Sequence, residues 1–297
     1  MSLGEFEVIQ RYFAEASTDA SVILGIGDDC AVLEIPQGEH LAVSIDTLVE
    51  GTHFLPDTPA DKLASRLLGA ALSDLAAMGA TPAWLTLALT LPTSDAKWLE
   101  EFSSQLILLC HRFNISLVGG DTTRGPLTLS AQVHGFVPKG QGLRRSGANI
   151  GDLICVSGCL GASRAGLECL LQSEAHISDS ILLDSFYAPE PQLALGRSLI
   201  GIANSCIDLS DGLLADLQHI LTASGDLGAN LVVDNLPLSE EGVSYFGLEN
   251  ARQWALSGGE DFQLCFTLPA DQAERLASLP ATVTVIGEVR QQKGIEL

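Results

Sequence analysis

The stretch LSDLAAMGATPAWLTLALTLPTS, residues 72–94, decides the fold class because it contains a change from helix to strand. Residues 75–94 carry no charge, but Gly79 and Pro82 interrupt them. Residues 85–91 then alternate between leucine and smaller side chains with the period of two that is typical of a β-strand. A membrane-spanning helix needs about 20 consecutive apolar residues. The stretch therefore predicts a helix followed by a strand, and no membrane span.

Helical and strand patterns alternate along the rest of the chain. Strands are predicted at 41–49, 85–91, 115–118, 127–137, 262–268 and 282–289, and in DLICVSG and SCIDLS. Helices are predicted near 60–78 and 95–113, in GASRAGLECLL and in SDGLLADLQHILTAS. Ser210 is the predicted N-cap of the last of these helices. The basic, glycine-rich segment PKGQGLRRSGANIGD predicts a linker or an active loop. We expect a mixed α/β fold with two domains, residues 1–138 and 150–297.

The composition excludes several classes of partner. The chain has 37 acidic residues against 15 Lys and Arg, a net charge of −22. Nucleic acids and anionic membranes are bound through basic surfaces, so neither is expected as a partner. The seven cysteines form no CxxC pair, and the N-terminus has no basic segment followed by an apolar one. We therefore expect reduced thiols and a cytoplasmic protein without a signal peptide.

Acidic residues recur beside glycine or serine at the ends of apolar elements. These motifs are GIGDD (Asp28, Asp29), LAVSIDTLV (Ser44, Asp46), ALSDLAAMGA (Asp74), LVGGDTTRG (Asp121), CIDLSDG (Asp208, Asp211) and LSGGEDF (Glu260, Asp261). Each motif alone is also an ordinary turn or N-cap signal. Asp74 lies in an apolar helix, where it either caps a helix restart after Ser73 or needs a partner, because an unpaired buried carboxylate is costly.

Several carboxylates brought together repel one another, by roughly 4 kcal/mol for two charges 4 Å apart at an effective dielectric constant near 20. A divalent cation relieves this repulsion, and ligation by oxygen alone favours Mg²⁺ or Ca²⁺. The six histidines show no HxH or HExxH spacing, and DLSDG lacks the spacing of an EF-hand. Magnesium usually keeps phosphate oxygens among its ligands. The chain lacks the Walker A, HRD and DFG motifs, and Arg124, Arg144 and Arg145 are candidate phosphate contacts.

Seven motifs occur in a series that resembles the thiamine-monophosphate kinases, within the wider fold family of aminoimidazole-ribonucleotide synthetase. They are GIGDDCAVL, SIDTLVEGTHF, LSDLAAMGA, GGDTTRGPL, RRSGA, IDLSDGL and WALSGGEDFQL. The resemblance runs from residue 4 to about residue 289. It implies transfer of the γ-phosphoryl group of ATP to thiamine monophosphate, giving thiamine diphosphate and ADP. It also implies a homodimer in which the N-terminal sheet pairs with that of a second subunit.

The resemblance also implies roles for individual residues. The magnesium ligands would be Asp29, Ser44, the backbone carbonyl of Ile45, Asp46, Asp74, Asp121, Asp208 and Asp211. The ATP contacts would be Gly120, Asp121, Arg145 and Ser210, and the contacts to thiamine monophosphate would be His53 and Glu260. Because the acceptor is already an anion, several magnesium ions per site suffice to align and neutralise the two substrates. We expect no side-chain nucleophile and no phosphoenzyme.

The motifs leave three alternatives open: another enzyme of the same fold, such as a selenophosphate or an aminoimidazole-ribonucleotide synthetase, a metal-dependent phosphohydrolase, and a non-catalytic acidic cation-binding protein. The chain lacks the reactive cysteine that selenophosphate synthetases carry in a glycine-rich N-terminal tail. It also departs from the thiamine-monophosphate kinases, which usually continue into a tail bearing an aromatic residue. No Trp, Tyr or Phe follows Phe266 here. Either the tail is missing or another aromatic residue, such as Trp254, covers the acceptor.

Overall fold

The computed structural model describes residues 5–13, 19–172 and 181–297. The chain divides into two units, Met1–Leu75 with Thr81–Lys139 and Ala76–Ala80 with Gly140–Leu297. Both units contain helices and strands, which confirms the mixed α/β class. No helix in the described ranges has both the length and the apolar character needed to cross a bilayer.

The N-terminal unit is built on one four-stranded sheet. Its helices are α1 (Glu5–Tyr12), α2 (Ala60–Ala77) and α3 (Ala96–Phe113), and its strands are β1 (Val22–Leu24), β2 (Val32–Leu33), β3 (Glu39–Val49), β4 (Thr81–Leu91), β5 (Ser116–Arg124) and β6 (Thr128–Pro138). The main sheet has the order β3-β6-β4-β5, and β1 pairs with β2 separately. Strand β5 runs parallel to β4, whereas β6 is antiparallel to both β3 and β4. Strand β3 therefore lies at an edge of the sheet.

Helix α2 buries all five of its leucines in the core of this unit. Leu63, Leu67, Leu68, Leu72 and Leu75 are at most 1% exposed. Such a helix, apolar on nearly all sides, belongs in the interior of a protein. Any polar side chain on it is therefore placed where it meets other protein groups, which bears directly on Asp74.

The prediction of a short strand at 115–118 is wrong, because β5 continues to Arg124. Asp121 thus lies within the strand and pairs with Ala88 of β4. Two glycines suggested a strand end, but Gly120 is needed for a close approach between strands. A Cβ atom added there would lie 1.9 Å from the carbonyl oxygen of Leu87. The pattern Gly-Gly-Asp therefore places an acidic side chain on a strand of the sheet.

The C-terminal unit contains a six-stranded sheet in the order β12-β9-β11-β7-β10-β8. Its strands are β7 (Leu153–Ser157), β8 (Ser205–Asp208), β9 (Gly228–Leu231), β10 (Leu264–Leu268), β11 (Val283–Arg290) and β12 (Gly294–Glu296), and its helices are α4 (Ala162–Leu171), α5 (Ile181–Tyr187), α6 (Leu193–Leu199), α7 (Leu213–Ala223), α8 (Glu240–Phe246) and α9 (Leu248–Ser257). Ile154 and Val156 pack into a core with α7, whereas Cys155 between them packs into a second core with α6. Both faces of this sheet are therefore covered.

Candidate active site

The first acidic group in the N-terminal unit joins β3 to α2. Ser44 and Asp46 lie on the inner face of β3 because side chains alternate along a strand. The Ser44 hydroxyl donates a hydrogen bond to Oδ2 of Asp74 on α2. Burial, and secondly the charge of Asp74, raise the pKa of Asp46 to about 6. Asp74 therefore has a partner, and α2 continues through it without the helix restart that was the alternative.

The second acidic group lines a cavity of about 890 Å³ in the same unit. The loop Gly25–Ala31 forms one side, and residues 117–122 of β5 form another. This cavity brings together Asp29, Gly120 and Asp121, three residues to which the family resemblance assigns magnesium or ATP contacts. Ligand sites for small molecules and cofactors are usually clefts of about 300–1,000 Å³. The cavity is therefore of a size that suits a nucleotide.

The register of the sheet relates the two groups. Asp46 pairs with Ala131 of β6, Ala131 pairs with Leu87 of β4, and Leu87 pairs with Gly120 of β5. Neighbouring strands lie about 4.8 Å apart, so the backbones of Asp46 and Gly120 are separated by roughly 14 Å across the sheet. The carboxylates of this unit thus form two groups, joined by one row of paired residues.

His53 lies in the turn that follows β3. Its Nδ1 atom accepts a hydrogen bond of 3.0 Å from the backbone N–H of Val49. In the neutral imidazole, this contact places the proton on Nε2. The half-buried side chain can therefore donate a hydrogen bond from Nε2 to an acceptor such as a phosphate oxygen.

A third group lies in the C-terminal unit, where the ladder between β8 and β10 continues into two loops. Asp208 pairs with Leu264 at the end of the ladder. Beyond it, the N–H of Glu260 donates to the carbonyl oxygen of Ser210 at 2.8 Å. Ser210, Asp211 and Glu260 line a cavity of about 200 Å³ together with Ser163 and Arg164. The structure thus brings together Ser210, Asp211 and Glu260, three of the predicted site residues of this unit.

Ser210 does not cap α7, so the prediction of its N-cap role is wrong. The helix begins at Leu213 after Gly212, and Oδ2 of Asp216 accepts hydrogen bonds of 3.0 Å from the N–H groups of Asp211 and Gly212. The buried Asp216 does the capping from inside the helix, which leaves Ser210 in the loop beside the cavity.

Sequence reasoning overlooked a cluster of metal-ligating side chains around Asp211. Ligand atoms of Asp211, Asp216 and His219 lie within 4.8 Å of one another. The spacing of three residues between Asp216 and His219 places them on one face of α7, and this spacing was the available signal. Because Asp216 already accepts two backbone hydrogen bonds, its role as a cap accounts for its position.

The segment that carries Arg145 is held in place by its backbone. The N–H of Leu143 donates to the carbonyl oxygen of Met78, and the carbonyl oxygen of Arg144 accepts from Cys206. The N–H groups of Gly147 and Ala148 both donate to Oγ of Ser224 at 3.1 Å. The exposed Arg145 side chain therefore extends from a fixed backbone.

Trp254, the suggested cover for the acceptor, is partly buried in α9. Its ring packs edge-on against Phe246 with the ring centroids 5.0 Å apart. Both aromatic rings belong to a small apolar cluster with Ala162, Ala165 and Leu182. This packing gives Trp254 a structural role in the C-terminal unit.

Comparison with known proteins shows the family to which this chain belongs. The family described as "AIR synthase related protein, N-terminal domain" matches residues 27–137. The thiamine-monophosphate kinase of Escherichia coli K12 is 52% identical over 274 residues, which cover 91% of this chain and 84% of that protein. The chain belongs to the thiamine-monophosphate kinase family.

Solved structures of thiamine-monophosphate kinases show the same fold. The enzyme from Stenotrophomonas maltophilia K279a is 41% identical, with a TM-score of 0.91 over 100% of this chain and 97% of that one. AaThiL, solved in complex with AMPPCP and TMP, is 31% identical, with a TM-score of 0.81 over 91% of this chain and 87% of that one. The predicted fold family is therefore confirmed.

Proposed function

We propose that this protein phosphorylates thiamine monophosphate with ATP in thiamine diphosphate biosynthesis, by direct in-line transfer at a site that carboxylates and magnesium ions build together. The reaction follows from the family, whose members at 52% and 46% identity are thiamine-monophosphate kinases. The observation that carries the mechanism is the oxygen-only group of Ser44, Asp46 and Asp74. A kinase that lacks the usual phosphate-binding motifs needs such a group to bring two polyanions together.

The donor atoms present fit magnesium. Hydroxyl, carboxylate and backbone carbonyl oxygens are the ligands that Mg²⁺ prefers, and Asp46 and Asp74 repel each other in the absence of a cation. The residues proposed to hold magnesium are Asp29, Ser44, Ile45 through its carbonyl oxygen, Asp46, Asp74, Asp121, Asp208 and Asp211. Bound magnesium supplies neutralisation of the phosphate charge and alignment of the two substrates.

The proposed nucleotide contacts are Gly120, Asp121, Arg145 and Ser210. Gly120 and Asp121 line the large cavity, whose volume and glycine-rich loop suit ATP. Arg145 extends from its fixed segment and offers a guanidinium to the phosphates. Ser210 lines the small cavity, and its hydroxyl does not cap α7. The structure of AaThiL in complex with AMPPCP and TMP supports binding of both substrates by this family.

The acceptor contacts are His53 and Glu260. His53 donates from Nε2 to the acceptor phosphate, and Glu260 accepts from or pairs with the positively charged organic part of the acceptor. A phosphate monoester is largely ionised at neutral pH, so its oxygen attacks without a general base. No side-chain nucleophile takes part, and no phosphoenzyme forms.

The protein is further proposed to be a cytoplasmic homodimer. Among the described residues, no strand pairs with the outer edge of β3. The outer face of β3 carries Leu41, Val43 and Ile45, which are 39%, 51% and 61% exposed. The polar Ser44 and Asp46 occupy the inner face instead. This inverted pattern, with apolar residues outside, indicates that a second copy of the chain covers the strand.

Substitutions are expected to change the KM for one substrate while leaving the KM for the other nearly unchanged. Glu260→Gln and His53→Ala should each raise the apparent KM for thiamine monophosphate by about tenfold or more. His53→Ala removes a hydrogen bond to the acceptor phosphate, and Glu260→Gln removes the negative charge that faces the positively charged part of the acceptor. The KM for ATP should stay within about twofold. Arg145→Ala should do the reverse, raising the KM for ATP. Initial rates with one substrate saturating and the other varied measure both constants.

The neighbouring arginine supplies a matched control for this separation. Arg144→Ala removes the same charge from the same fixed segment. The hydrogen bond from the Cys206 N–H to the carbonyl oxygen of residue 144 is kept, because it joins backbone atoms. It should change either KM less than Arg145→Ala does. If Glu260→Gln and His53→Ala weaken only the use of ATP, the acceptor site has been assigned to the wrong residues.

A further inference from the structure

Asp261 follows Glu260 in the segment LSGGEDF but takes no direct part in the proposed reaction. Its Oδ2 atom accepts a hydrogen bond of 2.7 Å from the N–H of Gly161, and Oδ1 accepts one of 3.2 Å from the N–H of Ser163. Helix α4 has Gly161 as its N-cap residue, which has no side chain to cap the helix. A carboxylate 100 residues further along the chain therefore caps α4.

The backbone on either side of Asp261 is in an unfavourable conformation. Glu260 and Phe262 have φ angles of +57° and +49°. The left-handed region is uncommon for residues other than glycine, and such residues persist only where the surrounding contacts hold them. The N–H groups of Glu260 and Phe262 donate to Ser210 and Leu209 at 2.8 and 2.9 Å. Asp261 supplies a further attachment of this segment, to α4.

The attachment joins two walls of the small cavity. Ser163 and Arg164 at the start of α4 form one wall, and the segment Gly258–Glu260 forms another. A shift of α4 away from this segment would change the position of the Glu260 side chain relative to Ser163. Burial raises the pKa of Asp261 to about 7, although hydrogen bonds from the amides of Gly161, Ser163 and Ala162 lower it. Those amides therefore partly offset the cost of placing a carboxyl group there.

We propose that Asp261 is a positioning residue for the acceptor: its carboxylate fixes the segment that carries Glu260 to the start of α4, and so sets where Glu260 meets thiamine monophosphate. This inference rests on the proposed role of Glu260. It predicts that Asp261 acts through Glu260 and affects the acceptor while leaving ATP unaffected.

A double-mutant cycle tests this role. Asp261→Asn keeps the shape of the side chain but replaces one acceptor oxygen by an NH₂ group. This donor then faces a backbone N–H, so one of the two hydrogen bonds to α4 is lost. Alone, it should raise the KM for thiamine monophosphate by about tenfold, with the KM for ATP within about twofold. In the Glu260→Gln background, the same change should raise the acceptor KM by less than about twofold, because residues that act as a unit are not additive.

Asp152→Asn is the matched control for general destabilisation. Asp152 is a buried carboxylate of the same unit, and its Oδ2 accepts hydrogen bonds from Asn149 and Asn204. This change should lower the melting temperature and leave both KM values unchanged. Should Asp261→Asn fail to fold, Asp261→Ser, which keeps one acceptor oxygen, takes its place in the cycle.

The outcomes separate the inference from the function on which it rests. Additive effects of Asp261→Asn and Glu260→Gln on the acceptor KM, or an effect of Asp261→Asn on the melting temperature alone, would overturn the positioning role. If Glu260→Gln by itself leaves the acceptor KM unchanged, the assignment of Glu260 to the acceptor fails, and the inference fails with it.

Discussion

Asp74→Asn is expected to lower kcat/KM for phosphoryl transfer on the order of 1,000-fold. The change removes a proposed magnesium ligand, and its charge, from the group that includes Ser44 and Asp46, and a neutral amide is a poor ligand for Mg²⁺. Metal coordination contributes several kcal/mol to stabilisation of transition-state charge, and each 1.36 kcal/mol corresponds to about tenfold in rate. Steady-state rates at saturating magnesium measure the loss.

The melting temperature of the same variant shows whether Asp74 acts as a metal ligand or only supports the fold. Without magnesium, Asp74→Asn should melt at the same temperature as the wild type or higher, because it removes the negative charge beside Asp46 and keeps an oxygen to accept from Ser44. With Mg²⁺ and AMPPCP present, the melting temperature should rise in the wild type and much less in the variant, since a ligand stabilises the state that it binds.

Asp95→Asn is the control for this substitution. Asp95 is the N-cap of α3 and accepts from the N–H of Trp98 at 2.8 Å, and asparagine caps a helix equally well. Its activity should stay within about twofold of the wild type. A fully active Asp74→Asn enzyme would show that Asp74 is not a metal ligand.

Val43→Glu is expected to convert the proposed dimer to monomers at micromolar concentration. A twofold symmetric interface would contain this position twice, so each dimer would bury two unpaired carboxylates, each at a cost of several kcal/mol. The dissociation constant should rise by about 100-fold or more. Sedimentation velocity over a range of concentrations measures it. Leu108→Glu, at a leucine of α3 that is 57% exposed, introduces the same charge into the same unit and should leave the dimer intact.

Two results would contradict the dimer proposal. One is a wild-type protein that sediments as a monomer across the whole range. The other is a dimer that Val43→Glu leaves unchanged, which would place the interface elsewhere than on β3.

The parts of the fold that sequence periodicity predicted are those where one physical signal dominates. Residues 85–91 alternate with period two and lie in β4, and the helix predicted near 95–113 is α3, with Asp95 as its cap. The extent of β5 was missed because Gly119 and Gly120 resemble a turn. Only the pairing of Gly120 with Leu87, which leaves no room for a Cβ atom, shows why glycine is required within a strand.

The acidic motifs were visible in the sequence, but their grouping was not. Alternation along β3 was enough to place Ser44 and Asp46 on one face. That Asp74 meets Ser44 depends on how α2 packs against the sheet, which no local pattern specifies. The N-cap of α7 was misassigned because serine is a common cap. Here Asp216, four residues after Gly212 and within α7, accepts a hydrogen bond from the N–H of Gly212. The capping of α4 by Asp261 joins segments 100 residues apart and had no sequence signal.

Product analysis tests the central claim most directly. The wild-type protein is incubated with Mg²⁺ and ATP, with and without thiamine monophosphate, and the nucleotide and thiamine products are quantified by chromatography. Direct transfer predicts thiamine diphosphate and ADP in equal amounts when the acceptor is present, and almost no ADP or free phosphate when it is absent. Phosphate released from ATP at the same rate without the acceptor would identify a phosphohydrolase and contradict the proposed transfer.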